Sequence, residues 1–227
     1  MRTPYPFTHP NDPMHIAVFG ATGRTGREVV TQALAAGHTV TAFVRSRDKL
    51  AAQQDLENDR LQFVVGDVRD YDAVARAVEG VDAVVSCLAP VPKEGRVQTE
   101  GTENVARAME AHGVERIVSE TGAGVDAPGD PERSFGGKLM QGVMKLVAGK
   151  ILDDATGHAE VLRRSELDYA IVRPPRLTND PHTGRYRHGI LQLGPGEKIA
   201  RADVADFMLA EATGGEYHRA EPHVTGA

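Results

Sequence analysis

The chain has a single cysteine among 227 residues, Cys87, so no internal disulfide framework can form, and a reducing cytoplasm is the expected setting. It has no apolar run approaching about 18 residues, so no membrane-spanning helix is expected. It lacks an excess of positive charge: the formal net charge is −6, which disfavours nucleic acid as a partner. Its nine histidines show no metal-ligand spacing and there is no cysteine cluster, so no metal site is expected. No repeat of roughly 20 to 50 residues interrupts it. What remains is a chain long enough for one substantial core. The first 13 residues hold Pro4, Pro6, Pro10 and Pro13 and no apolar segment. They read as an extended arm rather than a signal peptide. Met14 is a candidate internal start, and 14–227 is the expected domain.

What is present is concentrated near the start. His15 to Phe19 reads as a short buried strand. Gly20, Gly23 and Gly26 follow at three-residue spacing, and Val29, Val30, Ala33 and Leu34 then mark the apolar side of a helix. Strand, glycine turn and helix together form a dinucleotide-binding fingerprint. Gly20 permits the tight turn, Gly23 lets backbone approach a pyrophosphate, and Gly26 lets helix pack on strand. The pyrophosphate then meets free N–H groups at the positive end of the helix. The whole loop, Gly20-Ala21-Thr22-Gly23-Arg24-Thr25-Gly26, is the expected cofactor cradle.

Strands and helices then alternate. Strands are expected at His38–Val44, Leu61–Val65, Val81–Leu88, Val114–Ser119 and Asp168–Arg173. Helices are expected at Arg47–Leu56, from an Asp70 cap to Glu79, and from Arg96 to His112, where Gly113 ends the helix. Two more are expected at Phe135–Ile151 and Ala155–Arg164, and a late one at Asp203–Ala212. The alternation predicts an α/β fold with a doubly wound parallel sheet, a Rossmann fold in one domain. Segments at about 125–165 and 177–200 are expected to cover the substrate. Tyr186–Leu191 and Glu197–Ala200 read as a small hairpin across Gly194-Pro195-Gly196, and His223-Val224 as a last edge strand.

The end of the second strand discriminates between dinucleotides. An acid there grips a ribose hydroxyl and repels a 2′-phosphate. This chain has Arg45 instead, which can fork onto a phosphate, and Arg24 in the loop is expected on the same side. The cofactor expected is therefore NADP(H). The alternative reading makes both arginines solvated surface residues. Asp67, after the third strand, is placed to meet the adenine or to serve as a turn residue.

The motifs Gly20 to Gly26, Gly66-Asp67-Val68, Leu167 to Pro174 and Arg201-Ala202-Asp203-Val204-Ala205 resemble the atypical short-chain dehydrogenase/reductases of the NmrA-like type. Within them the similarity is to the branch that includes biliverdin IXβ (flavin) reductase. The resemblance runs from about His15 to Val224. It implies an NADPH-dependent reductase whose nicotinamide lies near the carboxyl ends of strands four to six. Ser86-Cys87-Leu88-Ala89-Pro90 then lines the nicotinamide ribose, Thr121 and Pro174 are further cofactor-binding candidates at neighbouring strand ends, and Val68 joins Asp67 in the cofactor-binding set. Arg176 stands where that branch has a histidine, and Gly122 where it has a hydroxyl. Both departures count against a tetrapyrrole substrate.

The Tyr-x-x-x-Lys pair of short-chain dehydrogenases is absent, so carbonyl reduction through a tyrosine acid is not expected. Hydride transfer to a flavin, quinone or other conjugated ring needs stacking and orientation first, with a proton from water or one positioned group. Candidate catalytic residues are Thr121, His158 and Arg176, each with a plain structural alternative. The chain reads as a monomer or homodimer acting on a small conjugated acceptor. The alternative function is a non-catalytic NADP(H)-binding sensor of the NmrA type.

Overall fold

Six short apolar segments form the centre of the protein because each is flanked by helices on both faces. The computed structural model describes residues 12–47, 58–91, 93–131, 135–194 and 196–227, with backbone alone from 135 to 147. The strands are β1 (His15–Phe19), β2 (Thr39–Val44), β3 (Leu61–Val65), β4 (Ala83–Ser86), β5 (Arg116–Glu120) and β6 (Asp168–Val172). All pair in parallel, in the order β3-β2-β1-β4-β5-β6. The expected doubly wound sheet is therefore present, with its topological switch point between β1 and β4.

Helices α1 (Arg24–Ala35), α2 (Tyr71–Val78), α3 (Val97–His112), α4 (Phe135–Arg164) and α5 (Arg201–Ala212) cover the sheet. Side chains alternate across each strand. Ile16 and Val18 of β1 join Val29, Val30 and Ala33 of α1 and Val204 and Met208 of α5 in one apolar layer. Ala17 and Phe19 join Val74 of α2, Met109 of α3 and Leu162 of α4 in the other. The caps are local. Asp70 accepts from the N–H groups of Asp72 and Ala73, and Gly113 ends α3 in the left-handed region at φ 70°.

Two expectations need correction and two fall largely outside the described residues. The two helices expected between Phe135 and Arg164 are present within α4, but they meet at a kink at Ala148 (φ −129°, non-helical) rather than between Ile151 and Ala155. The expected hairpin does not form. β8 (Tyr186–Gly189) pairs antiparallel with β10 (His223–Gly226), and β9 (Lys198–Ala200) pairs in parallel with β7 (Arg176–Thr178). The reason is length: 190–197 is longer than the roughly two to five residues a tight hairpin loop spans, so both strands find distant partners. The expected helix at Arg47–Leu56 and most of the amino-terminal arm fall outside the described residues.

Candidate functional site

The crevice at the switch point is shaped by the glycine turn. Gly20 has φ 73°, and a Cβ there would lie 2.5 Å from the Cys87 carbonyl oxygen at the end of β4. A Cβ on Gly26 would lie 2.2 Å from the Gly20 carbonyl oxygen, so helix and turn touch backbone to backbone. Gly23 is the extended N-cap of α1 (φ −70°, ψ 166°) and has no side chain to close the helix end. Its N–H donates to the Gly20 carbonyl at 2.8 Å. The first-turn N–H groups of α1 lack intrahelical partners and face this opening.

The β4 end supplies a second wall. Leu88 and Pro90 are half-buried and Ala89 is exposed. Gln98 of α3 donates to the Leu88 carbonyl at 2.8 Å and to the Glu120 carbonyl at 3.3 Å, joining the ends of β4 and β5. Asp154, fully buried on α4, accepts from the N–H groups of Gln98 and Thr99 and from the Thr99 hydroxyl at 2.7 Å. It caps α3 from another helix. Cys87 is buried, and desolvation pushes its thiol well above its ordinary range, so it is no nucleophile.

At the β5 end, Thr121 is 7% exposed and its hydroxyl has no hydrogen-bond partner among the described residues. The amide oxygen of Gln98 is likewise buried and unpartnered. Such orphaned groups at a crevice ask for a ligand's polar atoms. Ser119 meets His158 Nε2 at 2.7 Å on the α4 side. His158 is fully buried rather than on the surface. Desolvation lowers its pKa to about 4, against the Ala155 carbonyl and Asp154, so the ring is neutral at pH 7. Glu120 points to the opposite layer. Its carboxylate accepts from the Thr25 hydroxyl of the glycine loop at 3.3 Å. Burial raises its pKa to about 7, against that hydrogen bond and the charge of Arg201.

The cations separate. Arg45 pairs with Glu94, in the loop leading to α3, at 2.8 Å. Arg69 donates to the Glu94 carbonyl and pairs with Glu100 at 2.6 Å. Arg24 instead lies beside Arg201 of α5. The expectation that Arg24 and Arg45 share a side is therefore corrected: they turn to opposite helix layers. Asp67 is exposed and accepts from the Arg69 N–H at 2.9 Å, a turn role. Val68 is buried against the α2–α3 layer. Pro174 is buried and its carbonyl accepts from the Ala123 N–H at 3.0 Å, tying the β6 exit to the β5 exit. Arg173 is 1% exposed and grips both Asp130 oxygens at 2.6 and 2.7 Å, which pins the loop after β5. Arg176 is exposed on β7, opposite Lys198, and makes no ion pair among the described residues.

The fold brings the glycine loop, Thr121 and Pro174, all named from the sequence, to the carboxyl ends of β1, β5 and β6. Sequence reasoning missed Glu120, Gln98, Asp154 and Glu94. Glu120 carried a signal, an acid closing an apolar strand beside the glycine loop. Gln98 and Asp154 carried none, because their roles depend on where α3 and α4 cross. The crevice fits a dinucleotide: backbone glycines where a Cβ would intrude, free helix N–H groups, and orphaned polar atoms at the far end.

A family model described as NAD(P)H-binding matches residues 20–213. An uncharacterised chloroplastic protein of Arabidopsis thaliana is 31% identical over 205 residues, which cover 86% of this chain and 69% of that protein. An uncharacterised Mycobacterium tuberculosis protein is 36% identical over 106 residues, 46% of this chain. The match spans only 12% of that longer relative. Among solved structures, ChuY of Escherichia coli O157:H7, described as an anaerobillin reductase, superposes with a TM-score of 0.74 at 24% identity. The superposition covers 92% of this chain and 96% of ChuY.

Proposed function

The chain belongs to the NAD(P)H-binding family, and from that premise we propose that it is an NADPH-dependent reductase of small conjugated acceptors, such as flavins and quinones. The observation that carries this reading is the unpartnered Thr121 hydroxyl, buried where the carboxyl ends of β4, β5 and β6 meet. It is the polar atom best placed for a nicotinamide ribose or a bound acceptor. The dinucleotide, when bound, supplies the hydride.

The protein's own residues bind and orient. The loop from Gly20 through Ala21, Thr22 and Gly23 to Gly26 receives the pyrophosphate on backbone N–H groups, with Thr25 holding Glu120 behind it. Leu88, Ala89, Pro90 and Pro174 form an apolar shelf on which a flat ring can lie. Val68 and Asp67 border the adenosine end. Arg45 receives the 2′-phosphate in exchange for Glu94, which favours NADP(H) over NAD(H). Arg24 has no part in that contact, since it faces Arg201.

Among the described residues the acids nearest the acceptor shelf are turned away from it, Glu120 to the Thr25 hydroxyl and Asp154 to the first turn of α3. His158, neutral and enclosed, orients Ser119 rather than delivering a proton. The proton that follows the hydride comes from solvent. Arg176, exposed at the β6 exit, screens acidic acceptors. Among the described residues no helix is long and apolar enough to cross a membrane, which is compatible with a cytoplasmic monomer or homodimer.

Oxidation of NADPH, followed at its near-ultraviolet band with FMN, riboflavin, a neutral quinone and a linear tetrapyrrole, tests the reading. The tetrapyrrole belongs in the panel because ChuY is described as an anaerobillin reductase. Enzyme-dependent oxidation with a flavin or quinone is expected. Tight NADPH binding without turnover on any acceptor indicates the sensor alternative.

A further inference from the structure

Beyond the crevice, α1 and α5 frame a second cavity of about 380 Å³. Arg24, Arg27 and Thr31 line it from α1, and Arg201 and Asn179 from the facing segments. Positions 24, 27 and 31 share one helix face, so the cavity runs down the flank of α1 for roughly 10 Å. A pyrophosphate on the first turn of α1 does not reach the Thr31 end.

The charges in this cavity are incompletely compensated. Arg201 is held by the Thr178 carbonyl at 3.1 Å and the Asn179 side-chain oxygen at 2.7 Å, neither of them an anion. Desolvation and the neighbouring Arg24 both lower its pKa, and only the charge of Glu120 opposes them. Arg24 has no ion pair among the described residues. Glu28 and Asp180 also line the cavity. Asp180 is turned to the Thr178 hydroxyl at 2.8 Å and to Lys198 at 3.9 Å. Arg24 and Arg201 thus stand together with no carboxylate bonded to either among the described residues, in a chain whose overall charge is −6. Two like charges held together are unfavourable unless an anion lies between them. A phosphate or carboxylate accepts forked hydrogen bonds from both.

We propose that this cavity is a second oxyanion site, separate from the dinucleotide crevice, for a small molecule carrying a phosphate or carboxylate group. The anion comes either from the acidic tail of the acceptor or from a free metabolite, and the shared chemistry is the fork of Arg24 and Arg201 around it.

Inorganic phosphate is the probe, titrated calorimetrically into the full chain with and without saturating NADPH. Phosphate should bind in both states. Arg201→Gln and Asn179→Asp, which sets a carboxylate on Arg201, should each weaken phosphate at least about tenfold while NADPH affinity is unchanged. Asn179 is exposed and its variant keeps side-chain size, so it tests the site even if Arg201→Gln disturbs the loop after β7. A rise in KM for FMN but not riboflavin in Arg201→Gln identifies the acceptor as the source; unchanged KM values identify a free anion. Loss of phosphate binding on NADPH saturation overturns the proposal, as does wild-type phosphate affinity in both variants or no phosphate binding to the wild type. The phosphate titrations need no turnover, so they stand apart from the reductase assignment; only the choice between acceptor and free anion uses KM.

Discussion

Both carboxylate oxygens of Glu94 accept from the same nitrogen of Arg45, at 2.8 and 3.0 Å. The guanidinium proposed to discriminate between dinucleotides thus already holds an anion from the protein itself. An exposed pair of this kind is worth only about 0–1 kcal/mol. A phosphate with greater charge can displace it.

Glu94→Gln should therefore raise NADPH affinity several-fold and leave NADH unchanged. Arg45→Asp should weaken NADPH at least about tenfold, roughly 1.4 kcal/mol. Fluorescence titration with each dinucleotide checks both. Equal affinity for NADH and NADPH in the unmodified protein contradicts the role given to Arg45.

Two glycines of one loop should separate folding from binding. At Gly26 an added Cβ meets the Gly20 carbonyl oxygen at 2.2 Å, a backbone clash. Gly26→Ala should cost about 1–3 kcal/mol of stability by denaturant unfolding. At Gly23 the same test gives 3.0 Å to the Gly20 carbonyl oxygen, a tight contact that a shift of a few tenths of an ångström relieves, and the backbone is in an ordinary extended conformation. Gly23→Val should keep its fold by circular dichroism and lose NADPH binding.

His158 and Glu120 shape the pH dependence of stability in opposite ways. His158 titrates at about 4 when folded and at 6.5 when free. The unfolded chain holds more protons between those values, so stability falls as pH drops from 6.5 towards 4. Glu120 titrates at about 7 when folded and at 4.5 when free. The folded protein keeps that proton, so stability falls as pH rises from 4.5 to about 7. Thermal melts should show a flatter acid limb in His158→Gln and a flatter neutral limb in Glu120→Gln. An unchanged acid limb in His158→Gln contradicts the enclosed neutral imidazole.

The loop after β5 should depend on Asp130. Burial raises its pKa, but the Arg173 hydrogen bonds and the Ala127 N–H outweigh this and hold it below the ordinary carboxylate range. Its contribution is present above the unfolded pKa and is lost as pH falls through the folded one. Asp130→Ala leaves Arg173 buried without its anion and should cost about 3–5 kcal/mol by denaturant unfolding. A loss below about 1 kcal/mol contradicts the pairing.

The sheet was legible because its signals are local. Apolar runs, the Asp70 cap and Gly113 each act within a few residues. β8 and β9 were misread because their partners, β10 and β7, lie far along the chain, and Gly194-Pro195-Gly196 mimics a tight turn. In the site, the glycine loop was legible from spacing alone. The direction of Arg24 follows from helix phase, since it shares a face with Arg27 and Thr31. Glu94 and Gln98 were not legible, because their partners, Arg45 and the ends of β4 and β5, are assembled only in the fold.

Reductase and sensor are separated most directly by a single turnover. Enzyme saturated with NADPH, or with NADPH deuterated at the transferred position, is mixed with FMN or a neutral quinone under anaerobic conditions. The bound nicotinamide is followed at its near-ultraviolet band. The reductase account predicts enzyme-dependent loss of that band, slower for the deuterated cofactor on one face only. Bound NADPH that persists unchanged with every acceptor contradicts it.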